Sequence, residues 1–210
     1  MKTYNQTRLQ GGFSLVELLL VLAIIAALAV AAFIVYPKVQ AGRDADQEAK
    51  IVTAGLAGIK ALYSNRDYRN VSTTSAAQAG VFPDYMQMDD GTIQNKWGGR
   101  VTVDPANRDG SIASSTTTRR YFRIAYYNVP RAVCTKFVGK VAPYFPTVRI
   151  SSLNGYSGAN DGNGDVVKNL LSPNGYGEFN EEFAARKCRN DATNPDGDAV
   201  GSVAIFLISD

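Results

Sequence analysis

Hydrophobic side chains follow three regimes along this chain. From Leu18 to Tyr36 there are 19 consecutive residues with no charge or amide, and the only hydroxyl is the phenol of Tyr36. At 1.5 Å per residue a helix of that length spans roughly 28 Å, close to the hydrocarbon thickness of a bilayer. Residues 38–50 (KVQAGRDADQEAK) are polar and mixed in charge. The stretch IVTAGLAGIKALYSN then places Val52, Leu56, Ile59 and Tyr63 four, three and four residues apart, one apolar stripe on a helix suited to packing on a sheet. Together these regimes predict a single long helix from about Ser14 to Ser64. Pro37 follows the apolar run, where its missing N–H either kinks the helix or marks the membrane boundary. Gly55 and Gly58 weaken the helix intrinsically but permit close backbone approach.

The rest of the chain has shorter periods. From Asn65 to about Gly99 the pattern is polar and irregular, with one short helix near Ser75–Gly80. Arg100–Val103, Tyr121–Tyr127, Thr147–Ser151 and Val200–Ile208 carry the β-branched and aromatic content of strands. Arg131–Val141 has helical spacing, with Pro130 suited to a first turn and Pro143 to a stop. Glu181–Cys188 reads as a second short helix, and residues 107–120 (NRDGSIASSTTTRR) as an exposed Ser/Thr-rich loop. The order predicts an α+β fold, in which a long N-terminal helix packs its second half on a mainly antiparallel sheet with short helices.

Composition narrows the chemistry. The chain has 210 residues, with 22 Lys+Arg against 19 Asp+Glu. No basic tract or basic–aromatic stripe points to nucleic acid. The chain has no histidine, which removes the commonest general base and the Ser–His and Cys–His pairs. Aromatic pairs such as Tyr126-Tyr127 are assigned to strand core and sheet surface. Cys134 and Cys188 form one disulfide if the domain is exported, and are two buried free thiols otherwise. Asp161, Asn163 and Asp165 match the start of a calcium loop, but Val166 replaces its glycine and Ser172 its glutamate. Such Asp-Asn-Gly clusters are more often surface turns. Neither a metal nor a cofactor is expected.

The amino terminus carries the most specific signal. Lys2 and Arg8 precede the apolar run without an acidic residue, so residues 1–12 are expected to stay cytoplasmic. A secretory leader cut after Ala31, or an uncut signal anchor, explains the apolar run but neither the glycines nor Glu17. Gly11-Gly12-Phe13-Ser14-Leu15-Val16-Glu17 resembles the processing site of type IV prepilins. The resemblance implies that a prepilin peptidase cuts between Gly12 and Phe13 and methylates the new amino group of Phe13. It implies a leader (1–12), a transmembrane and filament-core helix (13–37) and a globular head (38–210). Glu17 would neutralise the Phe13 amino group of a neighbouring copy, because charges enter an apolar bundle as pairs. Ala23, Ala26, Ala27, Ala29, Ala31 and Ala32 would let helices approach closely.

In the head, Asn95-Lys96-Trp97-Gly98-Gly99 and Tyr144-Phe145-Pro146 are similar to type IVb pilins of the conjugative thin-pilus and toxin-coregulated kinds. There the cysteine pair brackets a surface segment, which would here be residues 134–188. The short leader and Phe13 are instead those of the type IVa class. The expected partners are further copies of the chain in a helical filament, the peptidase and inner-membrane assembly machinery. The expected location is the bacterial inner membrane as a single-pass precursor, then an extracellular pilus. A minor pilin acting as tip adhesin, or a type II secretion pseudopilin, is the alternative reading.

Overall fold

A computed structural model of the chain describes residues 14–65, 67–113, 120–151, 165–171, 177–189 and 202–210. Internal contacts divide the chain into two compact units after Gln40. The long helix α1 runs over Leu15–Leu62 and includes Pro37. The backbone stays helical there although the proline ring has no N–H to offer the Phe33 carbonyl. Within the first unit, the large apolar side chains from Leu15 to Val39 are exposed, Phe33 to 81 %. α1 is the one helix among the described residues long and apolar enough to cross a membrane.

The second unit begins at Ala41. Here α1 buries a single stripe, made of Ala45, Glu48, Ala49, Val52, Gly55, Leu56 and Ile59. The three inner positions read from the sequence are in it, while Tyr63 is half-buried at its end. Both helix glycines sit where neighbours come close. A Cβ on Gly55 would lie 3.1 Å from the Phe82 ring, and one on Gly58 would lie 3.2 Å from Val81.

The short helix α2 (Thr73–Gln78) opens on a reciprocal cap. The Ser75 N–H donates to Ser72 Oγ at 3.1 Å, and the Ser72 N–H to Ser75 Oγ at 3.0 Å. Strands β1 (Ile93–Gln94), β2 (Arg100–Ala106), β3 (Tyr121–Pro130), β4 (Thr147–Ser151), β5 (Asp165–Asn169) and β6 (Ser202–Ser209) form one sheet. Their spatial order is β1-β2-β3-β6-β4-β5, with every pairing antiparallel. The carboxy-terminal strand β6 therefore lies inside the sheet, and all eight of its residues are buried.

Strand alternation sorts the two faces. Val101, Val103, Phe122, Ile124, Tyr126, Val148, Ile205 and Leu207 join the stripe of α1 in the main core. Ala106, Ala125, Tyr127, Ala204, Phe206 and Ile208 form a smaller cluster on the other face. Arg123 is fully buried beside this second cluster, its guanidinium 5.0 Å over the Phe206 ring and 3.5 Å from Asp104. In the first part of the Ser/Thr-rich loop Arg108 and Asp109 are exposed as read from the sequence, but Gly110 and Ala113 are buried. Asn107–Ser111 closes into a turn, and Gly110 comes so near that an added Cβ would sit 3.0 Å from Ile208. Residues 114–119 lie outside the described residues.

Helices α3 (Arg131–Val141) and α4 (Glu181–Arg189) add their apolar faces to the main core. Pro130 caps α3 from outside rather than occupying its first turn. Cys134 and Cys188 are both fully buried and joined by a disulfide between these helices, 54 residues apart in sequence. On the chain-entropy account such a link stabilises by about 4 kcal/mol. Cys134→Ser should therefore lower the unfolding free energy of the chain by about 4 kcal/mol, measured by urea unfolding with the wild type under oxidising conditions as reference. Equal midpoints for the two proteins would show that the link does not stabilise the head.

Candidate functional site

Gly11, Gly12 and Phe13 lie outside the described residues. The Ser14 carbonyl opens α1, accepting from the N–H of Glu17 at 3.0 Å and of Leu18 at 3.1 Å. Glu17 thus stands in the first turn, exposed, where the partial positive charge of a helix start favours a carboxylate. The alanines from Ala23 to Ala32 are exposed together with the larger apolar residues around them.

A second constellation lies in the head, at the connection between β1 and β2. The Asn95 side chain organises it. Its Oδ1 accepts the N–H groups of Trp97 at 3.0 Å and Gly99 at 2.9 Å, and its Nδ2 donates to the Tyr127 carbonyl at 2.8 Å. Gly98 adopts φ +76, a conformation that a Cβ penalises. Gly99 has a different reason for being glycine: a Cβ there would fall 1.8 Å from the Tyr127 oxygen. The strand opposite is adapted to this close approach. The register of β3 shifts between Tyr126 and Val129, Asn128 takes φ 55, and its Nδ2 donates to the Trp97 carbonyl at 3.2 Å.

The same turn is fastened to α1 by a residue the sequence reading missed. Glu48 is 1 % exposed, and its Oε1 accepts the Lys96 N–H at 2.8 Å. The Lys96 ammonium is turned elsewhere, 2.8 Å from Asp44 and 3.0 Å from Gln47 Oε1. Burial raises the Glu48 carboxyl above its ordinary value, against the opposing pull of the Lys96 N–H and the Tyr126 hydroxyl. Tyr126 is itself pushed well up, by burial and then by Glu48. One signal for Glu48 exists in the sequence: it falls four residues before Val52, in line with the apolar stripe.

The cysteine pair stands where the sequence placed it, but closes the head rather than lining a site. Of the calcium candidates, Asp161 and Asn163 lie outside the described residues. Asp165 opens β5 and is paired with Lys187 at 2.7 Å. No group of three or more metal-ligating side chains occurs among the described residues.

The class follows from the architecture. A long amino-terminal helix, apolar at its start and packed by its second half on an antiparallel sheet, is the fold of type IV pilins. TcpA, a type IV pilin of Vibrio cholerae El Tor, shares it at a TM-score of 0.56 and 12 % identity, over 80 % of this chain and 99 % of that one. A type IVb pilin of Salmonella typhi aligns over 79 % of this chain and 97 % of its own, with 17 % identity and a TM-score of 0.47. The model for the PilS N-terminal region matches residues 42–169, and the prokaryotic N-terminal methylation motif matches residues 7–33. The chain belongs to the PilS family of pilins, which are structural subunits rather than enzymes. Comparison with curated proteins gives no match by sequence.

The 1.8 Å approach at Gly99 yields a prediction. Gly99→Ala must push the turn off Tyr127, so it should destabilise the head by about 3 kcal/mol or more, whereas Gly139→Ala, in open space, should stay within about 1 kcal/mol of wild type. Urea midpoints of the two variants check this, and equal midpoints would refute the steric account.

Proposed function

We propose that this protein is a prepilin and the structural subunit of a type IV pilus, type IVb-like in its head. A prepilin peptidase removes residues 1–12 at the cytoplasmic membrane face and methylates the amino group of Phe13. Cutting before the apolar run leaves the helix on the mature chain. That helix first holds the subunit in the inner membrane, then packs beside its copies in a helical filament drawn out by the assembly machinery.

The observation that carries this reading is the arrangement at the start of α1. The N-terminal methylation motif covers residues 7–33, and within it Glu17 is exposed in the first turn of a helix whose apolar side chains are exposed as well. A surface of that kind needs an apolar environment, and an ionised carboxylate entering one needs a counter-charge. The amino group that processing creates on Phe13 of the neighbouring subunit supplies it. Glu17 thereby fixes the axial register between subunits.

The test is Glu17→Ala in the native host. Mass and amino-terminal sequence should still give a chain beginning at methylated Phe13. Assembled pilin should fall at least about tenfold, since stranding one member of a buried ion pair costs about 3 kcal/mol. Filaments at wild-type yield would falsify the pairing. A wild-type chain still beginning at Met1, or beginning after Ala31, would overturn the prepilin reading itself.

A further inference from the structure

We propose that Glu48 is a proton-dependent latch: the protonated carboxyl holds the β1–β2 turn on α1, and its ionisation loosens that seat. The geometry is that of a buried acid rather than of an ion pair. Glu48 Oε1 takes the Lys96 N–H, an acceptor role that either protonation state can fill. Oε2 is buried and lies outside hydrogen-bonding geometry with any protein group. The Tyr126 hydroxyl, likewise buried without a formed bond, is the side chain that interacts with it from the sheet side. The phenol can pair with Oε2 in either protonation state, but only a proton on Oε2 removes the buried charge. An ionised carboxylate there would instead be a buried charge without a cation.

Of the groups packed around Glu48, burial and Asp44 favour the neutral acid, while Lys96 and the Tyr126 hydroxyl pull toward ionisation and are outweighed by burial. The nearest cation, Lys96, gives its ammonium to Asp44 and Gln47. Asp44, on the same helix, adds negative charge and opposes ionisation. Tyr126 on β3 and Tyr85 on the short turn Asp84–Met86 are phenols and bring no positive charge. A cleft of about 270 Å³ is lined in part by Gln47, Glu48, Tyr85, Met88 and Lys96.

The sign of the effect follows from burial. The folded protein holds this proton more tightly than the unfolded chain, whose glutamate titrates near 4.5. The latch therefore contributes fully below 4.5 and loses its contribution as the pH rises through the raised folded value. Acid tightens the seat and alkali releases it, opposite to the usual behaviour of a carboxylate held in an ion pair.

Trp97 is the chain's single tryptophan, and it sits in this turn, edge-on to Phe137 at 5.8 Å. Its emission reports the seat directly. With the full chain in detergent micelles, raising the pH from 4.5 to about 9 should move the emission to longer wavelength and lower the unfolding midpoint by several degrees. Glu48→Gln keeps an acceptor for Lys96 and gives Tyr126 an amide donor, so both readings should stay flat over the same range. A flat wild-type profile, or a Glu48→Gln profile that follows the wild type, overturns the latch. If Glu48→Gln does not accumulate, infrared spectroscopy of the wild type decides. A carboxylic-acid carbonyl band that persists above pH 4.5 and disappears on unfolding supports the proposal, and its absence from the folded protein refutes it.

Discussion

The head depends on one contact surface, the stripe from Ala45 to Ile59 against the inner face of the sheet. Without it α1 offers little intrinsic reason to stay helical as far as Leu62, since Gly55 and Gly58 both cost helix stability. The glycines are repaid by proximity: Phe82 and Val81 occupy the space their side chains would fill. The main core then grows outward from the stripe, through Phe122, Tyr126 and Leu207 to Phe137 and the disulfide. A chain whose last strand is an inner strand of the sheet cannot complete this core until β6 has paired with both β3 and β4.

Long elements with strong periods were legible in the sequence. The apolar run, the 4-3-4 stripe, the aromatic strand Tyr121–Tyr127 and the helix Arg131–Val141 appear at nearly the expected bounds. What escaped was short or held by distant partners. β1 has two residues, too few for a period to emerge, and β5 starts inside a stretch that resembles a calcium loop. Tyr68, Phe82, Met86 and Ile93 are core residues in a segment whose composition looks irregular: Tyr68 and Ile93 stand between polar neighbours, and Phe82 and Met86 sit in a short run that Pro83 and Asp84 interrupt. The Asn95–Gly99 motif was visible as a string, yet its purpose was not. That purpose is set by a carbonyl 32 residues away on a strand that bulges to meet it.

The motif also separates two meanings of a resemblance. Asn95, Gly98 and Gly99 answer to backbone geometry: a side-chain amide satisfying three main-chain groups, a positive φ, and a contact too close for any Cβ. Nothing in that arrangement requires a ligand, so the string marks a joint of the fold. Cys134 and Cys188 act in the same way between α3 and α4. The surface features that would distinguish adhesion from motility belong to residues whose identity the fold leaves free.

α1 carries two carboxylates in opposite circumstances, and the difference is one of partners. Glu17 is exposed at the helix start, with apolar neighbours and no cation supplied from its own described surroundings. In the filament reading its counter-charge arrives with another subunit, so the acid is useful only when ionised. Glu48 is enclosed by its own chain, which gives it an N–H and a phenol but spends the nearby ammonium on Asp44. Such a site favours the neutral acid, because burial outweighs the pull of the N–H, the phenol and the ammonium. On the proposed readings, the same side chain on the same helix serves assembly between molecules at one position and closure within a molecule at another, according to whether a cation or only a dipole can reach it.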